Sequence, residues 1–448
     1  MADLAEQLSA LRRKIARIDR KYAEGPRPFQ PRLPACAESV EDVIDGRIVQ
    51  TSAGWHFETE KLYERHRRYG SVDISDLQEL PADLLDSLSG GILKECPVER
   101  WAFLDTETTG LGGGAGTYAF LIGVGSVDAT GFRVRQFFMR EYREEKSQLS
   151  ALNEYLSRFD VLVTYNGKTY DQPLLETRYR LAGFRPPFAR MEHVDLLFGA
   201  RRLWKLRLDD CRLVHLEEKI LGIERQGDLP GELIPHYYFD YVRTSRALNL
   251  IPIFHHNVMD IVTLACLTAL VPRVFRDPAT MEARHGADLL GVSRWLLAEG
   301  RVTEALSLKM RAVDLGLPDA LLFRTLFEIG LLEKRAGNMA RAIGVFTELA
   351  ECKNEYHVRS LEELAKFHER TERNPALALE MTKRALRIED TEALRTREER
   401  LERLLAKRRA KGFLDFGRPE GLLGQPRPVD NTSIPAHNKQ ATGPSSVP

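Results

Sequence analysis

The chain has 448 residues, enough for two or three domains that each bury a core. Its 65 Lys and Arg balance 65 Asp and Glu, which excludes a uniformly basic protein, so any polyanion must be held by a local patch. Hydrophobic residues make up 43% and charged residues 29%, which excludes a wholly disordered or fibrous chain.

The cysteines and the N-terminus indicate a cellular compartment. The 5 cysteines are far apart and form no C-x-x-C pair, so we expect reduced structural thiols rather than a zinc site. The N-terminus lacks the apolar core of a signal peptide, and no uninterrupted apolar run is long enough to span a membrane. We therefore expect a cytoplasmic protein that does not bind membranes.

Residues 1–97 form an N-terminal region in which we find no chemistry. An amphipathic helix is predicted by apolar residues at helical spacing, namely Leu8, Leu11, Ile15, Ile18 and Tyr22. This helix either docks on the protein or dimerises. A Pro-rich linker (Pro26–Pro34) and a small extended segment with a hairpin at Ala53-Gly54 follow.

Residues 98–272 read as an α/β domain, because short apolar runs alternate with helical stretches. The predicted strands are Trp101–Leu104, Tyr118–Val127, Phe132–Met139 and Val161–Tyr165, and the predicted helices are Lys146–Phe159, Pro173–Leu181, Asp209–Leu221 and Val258–Leu270. A turn at Ser126–Gly131 joins two strands as a hairpin, so the sheet is expected to be mixed.

Residues 285–412 lose the strand pattern and can be aligned as helix pairs on Gly300, Gly337 and Arg373, at offsets of 37 and 36 residues. This period is slightly longer than that of tetratricopeptide repeats, which the segment resembles, and a plain helical bundle is the alternative. Residues 417–448 are rich in Pro, Gly, Ser and Asn and are expected to be disordered.

Two carboxylates follow the first strand of the α/β domain. Asp105 and Glu107 are two residues apart, so they project from one face of a strand if the strand continues through them. Such a pair repels unless cations offset its charge, and Mg²⁺ and Mn²⁺ prefer oxygen ligands. A strand end that runs out into solvent is the alternative.

Further polar segments follow along the chain. Gly110–Gly116 contains five glycines before a strand, which disfavours a nucleoside-triphosphate-binding loop and leaves a close backbone approach or a flexible connection. Tyr165 and Asn166 follow a buried strand, where they could contact a terminal nucleotide or simply form a turn. Asp171 precedes a helix and is either an N-cap or a functional carboxylate.

A fourth segment places His255 and His256 ahead of Asp260. If the helix already includes His256, that side chain lies on the same face as Asp260, because residues four apart are neighbours on a helix. If the helix begins later, His255 could bend over the site.

In this order the four segments resemble the DEDD superfamily of 3′–5′ exonucleases, and more closely the YprB-type ribonuclease H-like domain, which often carries helical repeats. The resemblance matches Asp105 and Glu107 to the first motif, Asp171 to the second and Asp260 to the third. It implies a ribonuclease H-like mixed sheet flanked by helices and two divalent cations, Mg²⁺ or Mn²⁺, on these four carboxylates. It also implies a histidine that acts as the base, for which we favour His256, with His255 as the alternative. Asp195 is similar to an auxiliary acidic position of related proofreading domains.

The resemblance implies a nuclease that hydrolyses phosphodiester bonds of single-stranded DNA or RNA. We expect the nucleic acid to contact the residues Thr108, Gly110, Tyr165, Asn166 and Asn257. Residues 178–212 contain nine Lys or Arg against four acids, and Arg201, Arg202 and Lys205 are expected to hold the strand. Phe184, Phe188 and Trp204 are available there for base stacking.

The alternative function is a non-catalytic protein that binds nucleic acid and recruits a protein partner through the helical repeats. The four intact carboxylates argue against this alternative.

Overall fold

The computed structural model describes residues 39–65, 67–77, 96–110, 114–276 and 283–415. The expected N-terminal helix, the Pro-rich linker, the C-terminal tail and residues 111–113 of the glycine loop lie outside the described residues.

The described strands form one large sheet and a separate two-stranded ribbon. In chain order they are β1 (Arg47–Thr51), β2 (Gly54–Glu64), β3 (Arg68–Tyr69), β4 (Val72–Asp73), β5 (Trp101–Thr108), β6 (Ala119–Asp128), β7 (Gly131–Phe138), β8 (Val161–Thr164) and β9 (Glu192–Asp195). The large sheet has the order β1-β2-β7-β6-β5-β8-β9, and β3 pairs with β4.

The large sheet is mixed. β5 runs parallel to β8, and β8 runs parallel to β9, whereas the other pairs are antiparallel. The turn predicted within residues 126–131 is narrower than expected and occupies residues 129–130 between β6 and β7, and the hairpin expected around Ala53-Gly54 turns at residues 52–53 between β1 and β2. The carboxyl ends of β5, β8 and β9 therefore share one edge of the sheet, which we call the carboxyl edge.

Helices cover both faces of the sheet. Those up to the end of the α/β region are α1 (Val40–Val43), α2 (Glu145–Leu156), α3 (Asp171–Ala182), α4 (Leu196–Trp204), α5 (Leu213–Leu216), α6 (Ile234–Thr244) and α7 (Ile251–Arg276). A π-helical turn, Glu217–Leu221, continues α5. One core cluster joins the sheet to α2 and α3, and another joins its opposite face to α4 and α7.

The long helix α7 is a core helix. The stretch Ala247–Leu270 is long and apolar enough to cross a membrane, with a mean hydropathy of 1.5 over its most apolar 18 residues. However, 72% of those 18 residues are buried inside the protein. Gly123 on β6 allows this close packing, because an added Cβ would lie 2.2 Å from both Asn257 Oδ1 and Ile261 Cδ1. The sheet and α7 thus approach each other beside the predicted acidic site.

The rest of the described chain is helical, in agreement with the predicted fold class. The helices are α8 (Gly286–Ala298), α9 (Val302–Leu315), α10 (Asp319–Arg335), α11 (Met339–Glu351), α12 (His357–Arg370), α13 (Pro375–Leu386) and α14 (Glu392–Asp415). The aligned turn residues Gly300, Gly337 and Arg373 all have positive φ, at 77°, 83° and 52°. The helices fit a repeat, and the tetratricopeptide type stays a prediction.

The chain divides into two compact units, Met1–Asn338 and Met339–Pro448. Within the first unit, α8 and α9 belong to the same core cluster as α4 and α7. Gly291 of α8 packs so tightly on α4 that a Cβ would lie 2.1 Å from the Leu203 carbonyl oxygen. The domain boundary predicted between residues 272 and 285 thus falls inside the first unit, and the predicted division stays a prediction.

Candidate active site

The central strand β5 carries two of the predicted acids. Alternation along the strand places Asp105 and Glu107 on the face covered by α7, and Thr106 on the face covered by α3. The pairing of β5 with β6 shifts register between Glu107 and Thr108, so the strand becomes irregular where the acids lie.

The other two acids reach the carboxyl edge from helices. Asp171 is the first residue of α3, and its Oδ1 accepts a hydrogen bond of 2.5 Å from Thr106 Oγ1. Asp260 lies on α7, on the same side of the sheet as Asp105. The structure therefore brings the three predicted segments together, with Asp171 approaching from the layer opposite Asp105 and Asp260.

Burial and mutual repulsion perturb these carboxyls. Burial, then the charges of Asp260, Glu107 and Asp171, raise the pKa of Asp105 well above its usual value. Burial also raises the pKa of Glu107 to about 8, with nearby carboxylates adding to the rise and His256 opposing it. The pKa of Asp171 rises to about 6 through burial, although the Thr106 hydrogen bond lowers it. A cluster of this kind is unfavourable without added positive charge.

The two histidines have different surroundings because α7 begins at Ile251 and includes both. His256 is buried, and its Nε2 lies 3.6 Å from Asp260 Oδ2. His255 is exposed. Burial lowers the pKa of His256, but a hydrogen bond to Asp228 and the charges of Asp260 and Glu107 outweigh it and raise the pKa to about 9.

Asn257 orients Asp105. Its side-chain amide donates to Asp105 Oδ2 at 2.8 Å, and its Oδ1 accepts from Gln136 Nε2 at 2.8 Å. Gln136 is fixed in turn by Thr59, whose hydroxyl donates to Gln136 Oε1 at 3.0 Å. Asn257 was predicted to contact nucleic acid, but it is fully buried, so that prediction is wrong and its role is to hold a carboxylate.

Two residues of the site, Arg225 and Asp228, were not predicted from the sequence. They lie between the π-helical turn and α6. Asp228 accepts from His256 Nδ1 at 2.9 Å. Arg225 is 4% exposed, and its Nη2 lies 2.6 Å from Asp260 Oδ1 and 2.5 Å from Glu217 Oε2. No spacing rule connects this irregular segment to α7, so only the tertiary structure reveals it.

The glycine loop is anchored next to the acids. Thr108 Oγ1 donates to the Gly110 carbonyl oxygen at 3.0 Å. Arg178 Nη1 donates to the Ala115 carbonyl oxygen at 2.7 Å, and its guanidinium lies 3.7 Å from the centre of the Tyr118 ring. Arg178 is buried in an ion pair with Glu145, so it fixes the loop rather than joining the basic surface.

Two residues of the turn after β8, Tyr165 and Asn166, make contacts that hold the fold together. The Tyr165 hydroxyl donates to the Cys211 carbonyl oxygen, so this ring is held on the core and is not free for stacking as predicted. Asn166 has a left-handed backbone with φ 65°, and its amide donates to Asp195 Oδ1 at 2.7 Å. Asp195 also accepts from the Lys168 and Leu197 amides and caps α4, and its predicted auxiliary role beside the acids stays a prediction.

The predicted basic surface is smaller than the sequence suggested. Arg201, Arg202 and Lys205 are exposed. The prediction that Phe188 and Trp204 stack on bases is wrong, because each is only 4% exposed and packs in the core. Phe184 is partly buried against the core on the α3 side.

The oxygen atoms of the four acids are the candidate ligands for divalent cations. Within the described ranges, no three His, Cys, Asp or Glu side chains converge as a finished metal shell. The donor set nevertheless suits Mg²⁺ or Mn²⁺, since all four acids are oxygen ligands that repel one another. In addition, Asp260 Oδ1 is buried beside Arg225 without an aligned hydrogen bond. The residues therefore fit cations that neutralise the cluster.

Comparisons with known proteins agree with this fold. Residues 102–271 match the RNase_H superfamily. The chain is also 30% identical over 356 residues to the uncharacterized protein YprB of Bacillus subtilis strain 168, covering 76% of this chain and 84% of that protein. The chain belongs to the YprB family. Its membership of the ribonuclease H superfamily indicates a nuclease that binds nucleic acid, and nucleases with this fold generally use divalent metals.

Proposed function

We propose that this protein is a metal-dependent nuclease that removes nucleotides from the 3′ ends of single-stranded DNA or RNA. The observation that carries the proposal is the approach of four carboxylates, one buried and three partly buried, from β5, α3 and α7 to the carboxyl edge of the sheet. Burial first, and then the charges of neighbouring carboxylates, raise the pKa of Asp105, Glu107 and Asp171.

Asp105, Glu107, Asp171 and Asp260 would hold two divalent cations, Mg²⁺ or Mn²⁺. Such cations activate water and stabilise the negative charge of a departing oxygen. Asn257 keeps Asp105 oriented, and Thr106 does the same for Asp171. The chain thus presents its carboxylates in fixed directions.

His256 is the base in this proposal. Asp228 accepts the Nδ1 hydrogen, which leaves Nε2 as the atom facing Asp260 and the acidic cluster. At neutral pH the surrounding carboxylates keep His256 protonated, since its pKa is raised to about 9. His256 can accept a proton only when the charge of Asp260 and Glu107 is neutralised.

A digestion time course tests the proposal. Purified protein is incubated with single-stranded DNA and RNA labelled at the 5′ end, with Mg²⁺, Mn²⁺ or EDTA. The proposal predicts a ladder shortening from the 3′ end that needs a divalent cation and disappears in Asp105→Ala. Intact strands under conditions where a known exonuclease degrades both would contradict it.

A second candidate function is favoured by the contact between Arg225 and Asp260. This guanidinium already neutralises the third-motif carboxylate. The protein could then bind nucleic acid without cutting it and recruit a partner through its helical repeats. Under this reading, Asp105→Ala changes neither the integrity of the strand nor partner capture.

A further inference from the structure

The surface of α4 carries one aromatic ring and three cations on a single face. Phe198, Arg201, Arg202 and Lys205 follow the spacing i, i+3, i+4, i+7, and all four are exposed. The other residues of α4 are buried, namely Leu196, Leu197, Gly199, Ala200, Leu203 and Trp204. The exposed face of this helix therefore contains no acid.

The turn after β8 is hydrogen-bonded to the start of α4 through Asp195, and it leads into Asp171. The backbone amides of Asn166 and Lys168 and that of Leu197 all donate to Asp195, so this carboxylate fixes the turn against the start of α4. Lys168 and Tyr170 are exposed in the turn. Tyr170 directly precedes Asp171 of the proposed active site.

Two aromatic rings are thus available to solvent on this surface. Tyr170 is 58% exposed and Phe198 is 54% exposed. Aromatic rings interleaved with cations are the pattern of single-strand binding surfaces.

The cations of this surface have no acidic partners in the described part of the chain. By contrast, two neighbouring arginines are paired, Arg207 with Asp288 and Arg212 with Asp210. Arg202 lies over the Trp295 ring at 5.4 Å, a contact that leaves its charge uncompensated. Lys168, Arg201, Arg202 and Lys205 therefore favour a polyanion.

We propose that Tyr170 and Phe198 form a stacking platform that, with these four cations, holds single-stranded nucleic acid and directs its end to the carboxyl edge. This proposal rests on the proposed nuclease function and specifies the path of its substrate. The rings stack on bases, and the cations contact phosphates.

The test separates stacking from phosphate contact. The full-length protein is titrated in EDTA, which prevents cutting, with a labelled single strand and with an abasic strand of equal length. Binding is followed by fluorescence anisotropy. Phe198→Ala and Tyr170→Ala should each weaken binding of the base-bearing strand about 5- to 10-fold and leave the abasic strand within about 2-fold.

Three further variants complete the test, and the first two keep it independent of folding. Phe198→Trp retains a ring and should retain binding. Trp55→Ala removes a ring that is 51% exposed on β2, near the opposite edge of the sheet, and should change nothing. Arg201→Ala should weaken binding of both strands and reduce the salt dependence by about one counterion.

Equal binding of both strands by the wild type and the alanine variants would overturn the platform. If digestion with Mg²⁺ or Mn²⁺ persists in that case, the nuclease proposal stands and only the platform is rejected. Failure of the wild type to bind either strand would also overturn the platform, and the digestion assay with Mg²⁺ or Mn²⁺ would decide the nuclease proposal separately.

Discussion

At the level of single residues, Glu107 shows the effect of burying a carboxyl group beside other acids. Burial raises its pKa to about 8, and no described group donates a hydrogen bond to its carboxylate. The folded state therefore keeps a proton that the unfolded chain has already released above its normal pKa of about 4.3. Folding stability must fall as pH rises between these two values, because the unfolded state binds fewer protons there.

The first prediction concerns this pH dependence. In EDTA, the melting temperature should fall as pH rises from about 5 to about 8, and Glu107→Gln should flatten the decline. His256 contributes in the same direction, because its raised pKa stabilises the fold below about 6.5 and loses that effect as pH rises through about 9. Differential scanning fluorimetry measures the slopes. Glu64→Gln, an exposed acid at the end of β2, is the control, and equal slopes for Glu107→Gln and wild type would contradict the prediction.

The second prediction concerns Asp228 as a residue that positions His256. Asp228→Asn should lower kcat/KM about 10- to 100-fold, which is the usual loss when a hydrogen-bond partner that orients an active-site side chain is removed. It should also move the acidic limb of the pH–rate profile to lower pH, because Asp228 is one cause of the raised His256 pKa. Asp240→Asn removes a partly exposed acid of α6 that is paired with Arg243 and should do neither. An unchanged acidic limb would show that Asp228 has no such role.

The sequence could predict the acids but not their partners. Asp105 and Glu107 end an apolar run, and His256 and Asp260 share a helix face, so strand and helix periodicity suffice. Arg225 and Asp228 come from an irregular segment whose contact with α7 depends on the tertiary fold. Burial was the other difficulty, since a basic stretch does not reveal that Trp204 faces the core while Phe198 faces solvent.

At the level of elements, the site depends on how closely α7 lies on the sheet. Gly123 of β6 faces Asn257 and Ile261 with no room for a Cβ. Asn257 is the residue that holds Asp105, so this packing and the orientation of the first-motif acid are coupled. A substitution on β6 should therefore alter the active site even though it replaces none of the acidic residues.

The third prediction follows from this coupling. Gly123→Ala should destabilise the fold by about 1–3 kcal/mol, as overpacking does, and reduce activity because Asn257 is displaced. Chemical denaturation and the digestion assay measure the two effects. Gly114→Ala, in the loop where nothing lies within 4 Å of an added Cβ, should leave stability unchanged. Equal stability of the two variants would contradict the tight packing.

Most strands were predictable because they are long apolar runs, whereas β9 was missed. Its four residues, Glu-His-Val-Asp, mix charge with a single valine and are shorter than a usual strand. It forms only because parallel pairing with β8 places Val194 in the core. Helix α6 was missed as well, although its buried residues Ile234, Tyr238 and Tyr241 follow helical spacing.

At the level of the whole molecule, the active-site residues and the core clusters that contain the sheet all precede Met339. The repeat alignment found the turns at Gly300, Gly337 and Arg373, but it could not show that α8 and α9 share a core with α4. Helical spacing indicates an apolar face and does not identify the surface that covers it.

The fourth prediction concerns truncation. A chain of residues 1–338 should fold and retain the cation-dependent digestion, because every contact described for the site lies within it. A chain ending at residue 283 should not fold stably, because removal of α8 exposes Leu203 and its neighbours. Circular dichroism and the digestion assay distinguish the two chains. A stable, active 1–283 fragment would place the boundary where the sequence predicted it.

The central claim is that carboxylates from β5, α3 and α7 share divalent cations. Calorimetric titration of the full-length protein with Mn²⁺ tests it most directly, without any substrate. The account predicts Mn²⁺ binding by the wild type that is lost in Asp105→Ala and weakened in Asp171→Ala and Asp260→Ala. Wild-type protein that binds no Mn²⁺, or Asp105→Ala protein that binds it as the wild type does, would contradict the account.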